Sequence, residues 1–335
     1  MQNTKSQPQN IIAIVADLDH TLVPRDSEYP IFDHFGIVED AFWKDVNSRH
    51  AGSKDTRKRQ IEQEELKFPS EIRVPVNQER SDISSELVYA NVILEYVRKG
   101  VFKGLNRMLL RELGKKIDFF PGVPDFIPEI KEMVKSNPLW NKHDIKVEFY
   151  IVSSALADMI RGSKISRFCD GIFATEIFPK FGDDQVKGEL DHISFSVSYT
   201  EKTRFIHMIH KGFDVSVNDF VPPNLRRVRG DCIIYIGDGL TDVPPMATTN
   251  SLGGKSIAVY NDSPNDPKKE KRFQDAVTLR DHGRVFNFGP ADFRQGQQTR
   301  KTLELLIRKA AAKIVEDGEK LVREGTGRSP RLGDG

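Results

Sequence analysis

The chain is poor in cysteine and carries no excess of charge of one sign. Its two cysteines, Cys169 and Cys232, lie inside apolar stretches, so we expect no disulfide framework and a reducing compartment. The 50 Lys and Arg residues almost cancel the 49 Asp and Glu residues, for a formal net charge of +1. Such a balance provides no global field for holding nucleic acid or an anionic membrane surface.

Long apolar runs are missing as well. No run approaches the roughly 20 residues that a membrane helix needs. The polar start MQNTKSQPQN has the pattern of neither a signal peptide nor a transit peptide. We predict a cytoplasmic protein without a nucleic-acid or membrane partner, and the sequence does not indicate an oligomeric state.

What the chain does have is short apolar runs that alternate with helical patterns. The runs IIAIVA, IKVEFYIV, CIIYIG and KSIAVY are typical of buried parallel strands, because strands covered on both faces lack polar alternation. The segment EKTRFIHMIHK has helical spacing, with Thr200 as the expected N-cap and Gly212 as the expected stop. The alternation predicts an α/β fold with a doubly wound, Rossmann-like, mostly parallel sheet.

The length of 335 residues exceeds one usual domain and predicts a core with an insertion. We assign residues 10–24 and 118–290 to the α/β core, 25–117 to an inserted α-helical cap, and 291–335 to a C-terminal helix with a disordered tail. Within the cap, residues 50–85 are rich in charge and predict a loop or exposed helices, with a solvated run KDTRKRQ at 53–59. Apolar cap residues at helical spacing are expected to be core rather than substrate contacts: Phe32, Phe42, Trp43 and Tyr96.

Two pairs of acids follow two of the predicted strands. Asp17 and Asp19 follow IIAIVA, and Asp238 and Asp242 follow CIIYIG. Ligands of doubly wound sheets bind beyond the carboxyl ends of the strands, so we expect the four carboxylates to lie together. They repel one another unless a cation or a proton compensates, and carboxylate oxygens suit a hard divalent metal such as Mg²⁺.

The segment DLDHT resembles the first motif, DxDxT, of the haloacid dehalogenase-like (HAD) hydrolases. FYIVSS is similar to the apolar strand of that superfamily that ends in a hydroxyl residue, Lys202 in SYTEKTRF to its motif lysine, and GDGLTD to its GDxxxD motif. The motifs occur in the superfamily's order, and the resemblance covers about residues 10–24 and 118–262. The helical insertion after the first motif is similar to that of the phosphoserine-phosphatase-like branch.

The resemblance implies a phosphatase that acts on a small phosphorylated metabolite through an aspartyl-phosphate. It makes Asp17 the nucleophile and Asp19 the general acid and base. Mg²⁺ would be held by Asp17, Asp238 and the backbone carbonyl of Asp19. The site must then keep Asp19 protonated while Asp17 is ionised.

The resemblance also implies the phosphate contacts. Ser153 is favoured for the hydroxyl that binds a phosphoryl oxygen, and Ser154 is the rival and otherwise the N-cap of the next helix. Lys202 lies in the first predicted turn of a helix, where a cation opposes the helix dipole unless an anion binds there. Lys187 and Lys255 are its rivals by position.

Four further positions surround these motifs. Gly237 and Gly239 are expected to let the backbone approach the site closely. Asp242 is expected to orient Lys202 or a water of the metal. His20 directly follows the second acid of the first motif and would face away from both acids in a continued strand, which indicates a structural role.

The sequence leaves the substrate and the type of reaction open. The branch expects a glutamate for the substrate amine and an arginine for the carboxylate of phosphoserine. Asp26 and Glu28 are near the first motif but fit the pattern poorly, and no arginine can be assigned. A phosphomutase would keep all four motifs, whereas a binding protein on this core would be expected to have lost a catalytic acid. Dehalogenase chemistry is disfavoured by Asp19 and GDGLTD, and a nucleic-acid end phosphatase by the balanced charge.

Overall fold

A computed structural model describes residues 9–50, 61–73 and 85–326. In these ranges seven strands form one sheet in the order β4-β3-β2-β1-β5-β6-β7. All neighbouring pairs are parallel except β3 and β4, which are antiparallel, so the predicted α/β fold with a mostly parallel sheet is confirmed. The strands are β1 (Ile11–Ala16), β2 (Lys146–Leu156), β3 (Gly171–Pro179), β4 (Leu190–Phe195), β5 (Ile233–Gly237), β6 (Lys255–Tyr260) and β7 (Asn287–Pro290).

The first strand lies at the centre of the sheet, between β2 and β5. Residues from Ile12 to Ala16 are buried, as expected for a run without polar alternation. Ala16 pairs with Ile151 on one side and with Ile236 on the other. The strand order reverses at β1, and a crevice for ligands forms at such a switch point beyond the carboxyl ends.

Helices cover the sheet and fill the insertion between β1 and β2. None of the helices in the described ranges is long and apolar enough to cross a bilayer. They are α1 (Tyr29–Phe35), α2 (Glu39–His50), α3 (Ser85–Arg98), α4 (Arg107–Gly114), α5 (Phe126–Lys135), α6 (Pro138–Lys142), α7 (Ala157–Gly162), α8 (Glu201–Lys211), α9 (Val243–Ser251), α10 (Lys269–Asp281) and α11 (Gln298–Thr326).

The inserted helices pack around a cluster of aromatic rings. Phe32 and Phe42 are fully buried, with ring centroids 4.7 Å apart, and Phe102 packs against both. The expected core role is confirmed for Phe32 and Phe42, while Trp43 also lines a cavity. The helical character of the insertion is confirmed; its exact boundaries stay a prediction. Residues 61–65 are helical, and the run at 53–59 lies outside the described residues.

The last helix packs against the core. Leu303, Ile307 and Ala311 on α11 are fully buried, and the helix contacts β1, β6 and β7. The Arg300 side chain, only 3% exposed, lies 3.0 Å from an oxygen of Glu129. This helix is therefore part of the packed structure. The predicted disordered tail begins at Thr326, which is instead the last residue of α11; its residues 327–335 lie outside the described residues.

Thr200 and Gly212 are the N-cap and C-cap residues of α8, as predicted, but the Thr200 side chain makes no capping bond; Ser198 Oγ accepts from the Glu201 N–H instead, at 3.3 Å. The expectation for Ser154 as an N-cap is wrong. β2 continues to Leu156, which is also the N-cap residue of α7. Ser154 therefore lies within the strand and cannot be the N-cap.

Candidate active site

Three of the sequence motifs meet at the carboxyl edge of the sheet. Asp17 directly follows β1, and its N–H donates to the carbonyl of Ile236 on β5 at 2.9 Å. Lys202 Nζ lies 2.9 Å from Asp17 Oδ2 and 2.9 Å from Asp242 Oδ1. The Lys202 side chain is only 5% exposed, whereas Lys187 and Lys255 are exposed. Lys202 therefore links the first motif to the last.

Asp242 holds the GDGLTD turn together from a fully buried position. Its Oδ1 accepts a hydrogen bond from the Tyr235 hydroxyl at 2.7 Å, and its Oδ2 accepts one from the Asp238 N–H at 3.0 Å. A Cβ at position 237 would lie 2.3 Å from Asp242 Oδ2. The Asp242 carboxylate lies so close to this backbone that only glycine fits. At Gly239 a Cβ would meet no protein atom within 4 Å, so the role of this glycine stays a prediction.

Three carboxylates lie close enough to share one cation. Oxygens of Asp17, Asp238 and Asp242 all lie within 4.8 Å of one another. Burial and the neighbouring acids raise the pKa of Asp238 to about 7. Lys202 compensates part of the charge, and Arg272 Nη1 lies 3.3 Å from Asp238 Oδ2. A set of oxygen donors with uncompensated negative charge fits Mg²⁺.

The two acids of the first motif have different surroundings. Burial raises the pKa of Asp19 well above its usual range, and Glu28, Asp26 and Asp17 add to the effect. Its Oδ1 accepts from the Ser27 N–H at 2.9 Å. Burial also raises the pKa of Asp17, but the ion pair with Lys202 opposes that rise. This difference is in the direction that a protonated Asp19 beside an ionised Asp17 requires.

The two serines that are candidates for the phosphate contact differ in burial. Ser153 is buried, and its Oγ accepts from the Ala155 N–H at 3.2 Å. Ser154 is partly exposed and lines the same cavity as Asp19. The assignment of the phosphate contact to Ser153 stays a prediction.

A cavity of about 180 Å³ lies between Asp19 and the inserted helices. Glu28 is buried at its wall, where the Tyr89 hydroxyl donates to Oε1 at 3.1 Å. Burial, with the nearby Asp26 carboxylate, raises the pKa of Glu28 to about 7. The rings of Trp43 and Tyr89 lie 6.0 Å apart. The complete lining is Asp19, Asp26, Glu28, Trp43, Val46, Asn47, Glu86, Tyr89, Ser154 and Ala155.

Sequence reasoning missed one part of the site. The continued strand predicted at His20 is wrong, because His20 lies in a turn with a φ of +58°. Its ring contacts Asp26 and Arg272. Arg272 was not predicted, since in KKEKRFQD it is one cation among several and shows no distinguishing motif.

Comparison with known proteins places the chain in a family. No family model matches it. An uncharacterized protein of Borreliella burgdorferi is 30% identical over 303 residues, which are 87% of this chain and 94% of that protein. The chain belongs to the family of that protein.

The chain is also similar to solved structures. A phospho-aspartyl intermediate analogue of phosphoserine phosphatase is 14% identical, with a TM-score of 0.47 over 88% of this chain and 99% of that chain. A HAD family hydrolase from Salmonella enterica serovar Typhi is 16% identical, with a TM-score of 0.42 over 75% of this chain and 62% of that chain. The sheet order and the contacts of Lys202 with Asp17 and Asp242 confirm the doubly wound α/β fold, with a site at the carboxyl edge of its sheet, that the sequence predicted.

Proposed function

We propose that the protein is a Mg²⁺-dependent phosphomonoesterase that acts through an aspartyl-phosphate on Asp17. The observation that carries this proposal is the ion pairing of Lys202 with both Asp17 and Asp242, 2.9 Å from each. Residues from distant parts of the chain thereby form one buried site. The site pairs a nucleophilic carboxylate with a cation and with a second acid of raised pKa, Asp19, as phosphoryl transfer through an aspartate requires.

The first half of the reaction uses both acids of the first motif. A carboxylate oxygen of Asp17 attacks phosphorus while the bond from phosphorus to the alcohol oxygen breaks. Asp19 gives its proton to that leaving oxygen. Lys202 holds Asp17 in place and balances its charge.

The second half regenerates the enzyme. Asp19, now a carboxylate, takes a proton from a water molecule whose oxygen attacks the phosphorus of phospho-Asp17. The bond from phosphorus to the Asp17 oxygen breaks, inorganic phosphate leaves, and Asp19 is protonated again.

A cation would be held by Asp17, Asp238 and the carbonyl of Asp19. A carboxylate and a phosphate charge about 4 Å apart repel by roughly 4 kcal/mol near a protein surface. Bound Mg²⁺ would offset this repulsion and stabilise the charge on the transferring phosphoryl group. Asp242, which holds Lys202, Tyr235 and the Asp238 backbone, would keep the surrounding groups in place.

The test is release of phosphate from a panel of small phosphomonoesters, with Mg²⁺ and with EDTA. We expect Mg²⁺-dependent turnover, and Asp17→Asn should lower kcat by on the order of 10³-fold or more, since the nucleophile is lost. The matched control is Asp214→Asn, at an exposed position, which should stay near wild type. Turnover retained in Asp17→Asn would contradict the mechanism. Phosphate that moves within the substrate would indicate a mutase, and absence of any turnover a binding protein.

The cavity beside Asp19 supports a substrate class. Four of its lining residues are acids, and among the described residues neither lysine nor arginine lines it. A substrate carboxylate would be repelled by those of the lining acids that are ionised. An ammonium group would be attracted by them, would favour the ionised form of Glu28, whose pKa is about 7, and would lie near the rings of Trp43 and Tyr89. We infer a small phosphomonoester whose alcohol part carries a primary or quaternary ammonium group and no carboxylate.

This inference predicts an order of substrates. Phosphoethanolamine and phosphocholine should have higher kcat/KM than glycerol phosphate, and phosphoglycolate should have the lowest; phosphoserine, which carries both charges, should lie between the extremes. Successive substrates in this order should differ about tenfold in kcat/KM, because one charge contact of modest strength is worth on the order of 1–2 kcal/mol. Glu28→Gln should narrow the gap between phosphoethanolamine and glycerol phosphate. A preference for phosphoglycolate would contradict the inferred class while leaving the phosphatase mechanism intact.

A further inference from the structure

Arg272 reaches the cation site from a helix that none of the motifs includes. It lies on α10, 34 residues after Asp238 in the chain, and its side chain is 16% exposed. Nη1 lies 3.3 Å from Asp238 Oδ2, and Nη2 lies 3.2 Å from His20 Nδ1. Nε lies 3.2 Å from Asp266 Oδ2 without the alignment of a hydrogen bond. One guanidinium therefore connects the loop after β5 with the loop after β1.

His20 has a backbone conformation that bears on the same site. Its φ of +58° is in the left-handed region, which residues other than glycine adopt uncommonly, asparagine, aspartate and histidine more often than the rest. The His20 N–H and the Asp19 carbonyl belong to one rigid peptide plane. The direction of the Asp19 carbonyl, a proposed ligand of the cation, is therefore coupled to the φ of His20.

The His20 ring is held on both sides. Nε2 lies 3.3 Å from Asp26 Oδ1, and Nδ1 lies 3.2 Å from Arg272 Nη2 and 3.2 Å from the Pro24 carbonyl. Nδ1 cannot accept from Arg272 and donate to the Pro24 carbonyl at the same time. We assign the tautomer with the proton on Nε2, in which the ring donates to Asp26 and accepts from Arg272, and the Pro24 carbonyl receives no proton from the ring. The left-handed turn is thus anchored by its own side chain.

We propose that Arg272 and His20 are positioning residues that prepare the cation site. Arg272 restrains the Asp238 carboxylate through its contact with Oδ2, and through His20 it restrains the peptide that carries the Asp19 carbonyl. The planar guanidinium directs two separate nitrogens, Nη1 and Nη2, to Asp238 and His20, whereas a lysine has one terminal nitrogen and no rigid fork. The proposal rests on the proposed function only in taking the cation site to be a Mg²⁺ site.

The experiment measures Mg²⁺ binding directly, by isothermal titration calorimetry of the full chain without substrate. Arg272→Lys keeps the charge and removes the double contact. We expect it to weaken Mg²⁺ binding by about tenfold or more, the usual cost of losing a group that orients a metal ligand. In turnover, the Mg²⁺ concentration for half-maximal rate should rise by the same factor, and excess Mg²⁺ should restore most of kcat. The matched controls are Arg280→Lys and Arg280→Gln, at an exposed position of the same helix, which should bind Mg²⁺ like wild type.

A second variant tests the His20 part independently. Asparagine tolerates the left-handed region but is too short to bridge Asp26 and Arg272, so His20→Asn should keep the turn and weaken Mg²⁺ binding. In the double variant His20→Asn with Arg272→Lys, the losses should be less than additive, because both act on one chain of contacts. Thermal unfolding without Mg²⁺ checks that each variant folds.

The outcomes separate this inference from the proposed function. Wild-type affinity in Arg272→Lys would mean that Arg272 is only a counter-charge, and tighter binding would mean that it competes with the cation; either result overturns the inference. If wild type binds no Mg²⁺ while Asp17→Asn still lowers turnover, the cation requirement fails instead. If wild type binds Mg²⁺ but turns over no phosphomonoester, the proposed function fails and the positioning role can still be measured.

Discussion

At the scale of single residues, Glu28 is the acid whose environment has the clearest energetic consequence. It is buried, with a Tyr89 hydroxyl and the Leu156 N–H near one oxygen. Its pKa is raised from 4.5 to about 7, first by burial and then by Asp26. A buried acid that is kept neutral can donate as well as accept a hydrogen bond, so Glu28 can change its role with pH.

The raised pKa makes the free energy of unfolding depend on pH. Between about pH 4.5 and pH 7 the folded state keeps the Glu28 proton and the unfolded chain releases it, so stability falls as pH rises through this window. A difference of about 2.5 units corresponds to roughly 3 kcal/mol. Glu28→Gln stays neutral in both states. We expect its stability relative to wild type to increase from pH 5 to pH 8, by up to roughly 3 kcal/mol.

Urea unfolding at pH 5, 6, 7 and 8 measures this difference. Other buried acids also titrate, so the informative quantity is the free energy of unfolding of Glu28→Gln minus that of wild type at each pH. Glu112→Gln, at an exposed position, is the control and should show a flat difference. A flat difference for Glu28→Gln would show that its carboxyl is not perturbed by folding.

At the scale of elements, a strand can be predicted from the sequence when it is buried on both faces. β1, β2, β5 and β6 are covered on both faces and therefore appear as apolar runs. The edge strands escape this signal. β4 pairs antiparallel with partly exposed residues, and β7 has only four residues with the sequence NFGP. A pattern of hydrophobicity cannot distinguish such short, half-covered segments from loops.

The same reasoning separates the predictable part of the site from the rest. Asp17, Asp238 and Asp242 were predictable because they follow apolar runs typical of buried parallel strands, and ligands bind beyond the carboxyl ends of such strands. Lys202 was predictable because its motif is similar to that of a known superfamily. The roles of Arg272 and of the turn at His20 depend on how α10 packs against the loop after β1. Such a contact between distant elements produces no periodic pattern in the sequence, so it could not be predicted.

At the scale of the whole molecule, the C-terminal helix α11 packs against strands from both early and late parts of the chain. α11 packs against β1, β6 and β7, so the strand that ends at Asp17 is supported by residues almost 300 positions away in the sequence. Ion pairs flank the apolar contact: Arg229 lies 2.7 Å from Asp317, and Arg300 lies 3.0 Å from Glu129. Since the apolar residues are buried and the ion pairs are partly exposed, the apolar contact should supply most of the stabilisation.

Leu303 and Leu305 offer a matched test of this contact. They lie two positions apart on α11, with Leu303 fully buried and Leu305 44% exposed. Leu303→Ala should lower the free energy of unfolding by about 2–5 kcal/mol, because it removes buried methyl groups and leaves a cavity against the sheet. Leu305→Ala should change it by about 1 kcal/mol or less, because its side chain already meets water. Chemical denaturation measures both. Equal losses in the two variants would mean that α11 contributes through its helical character alone, and the whole-molecule role of its packed face would have to be abandoned.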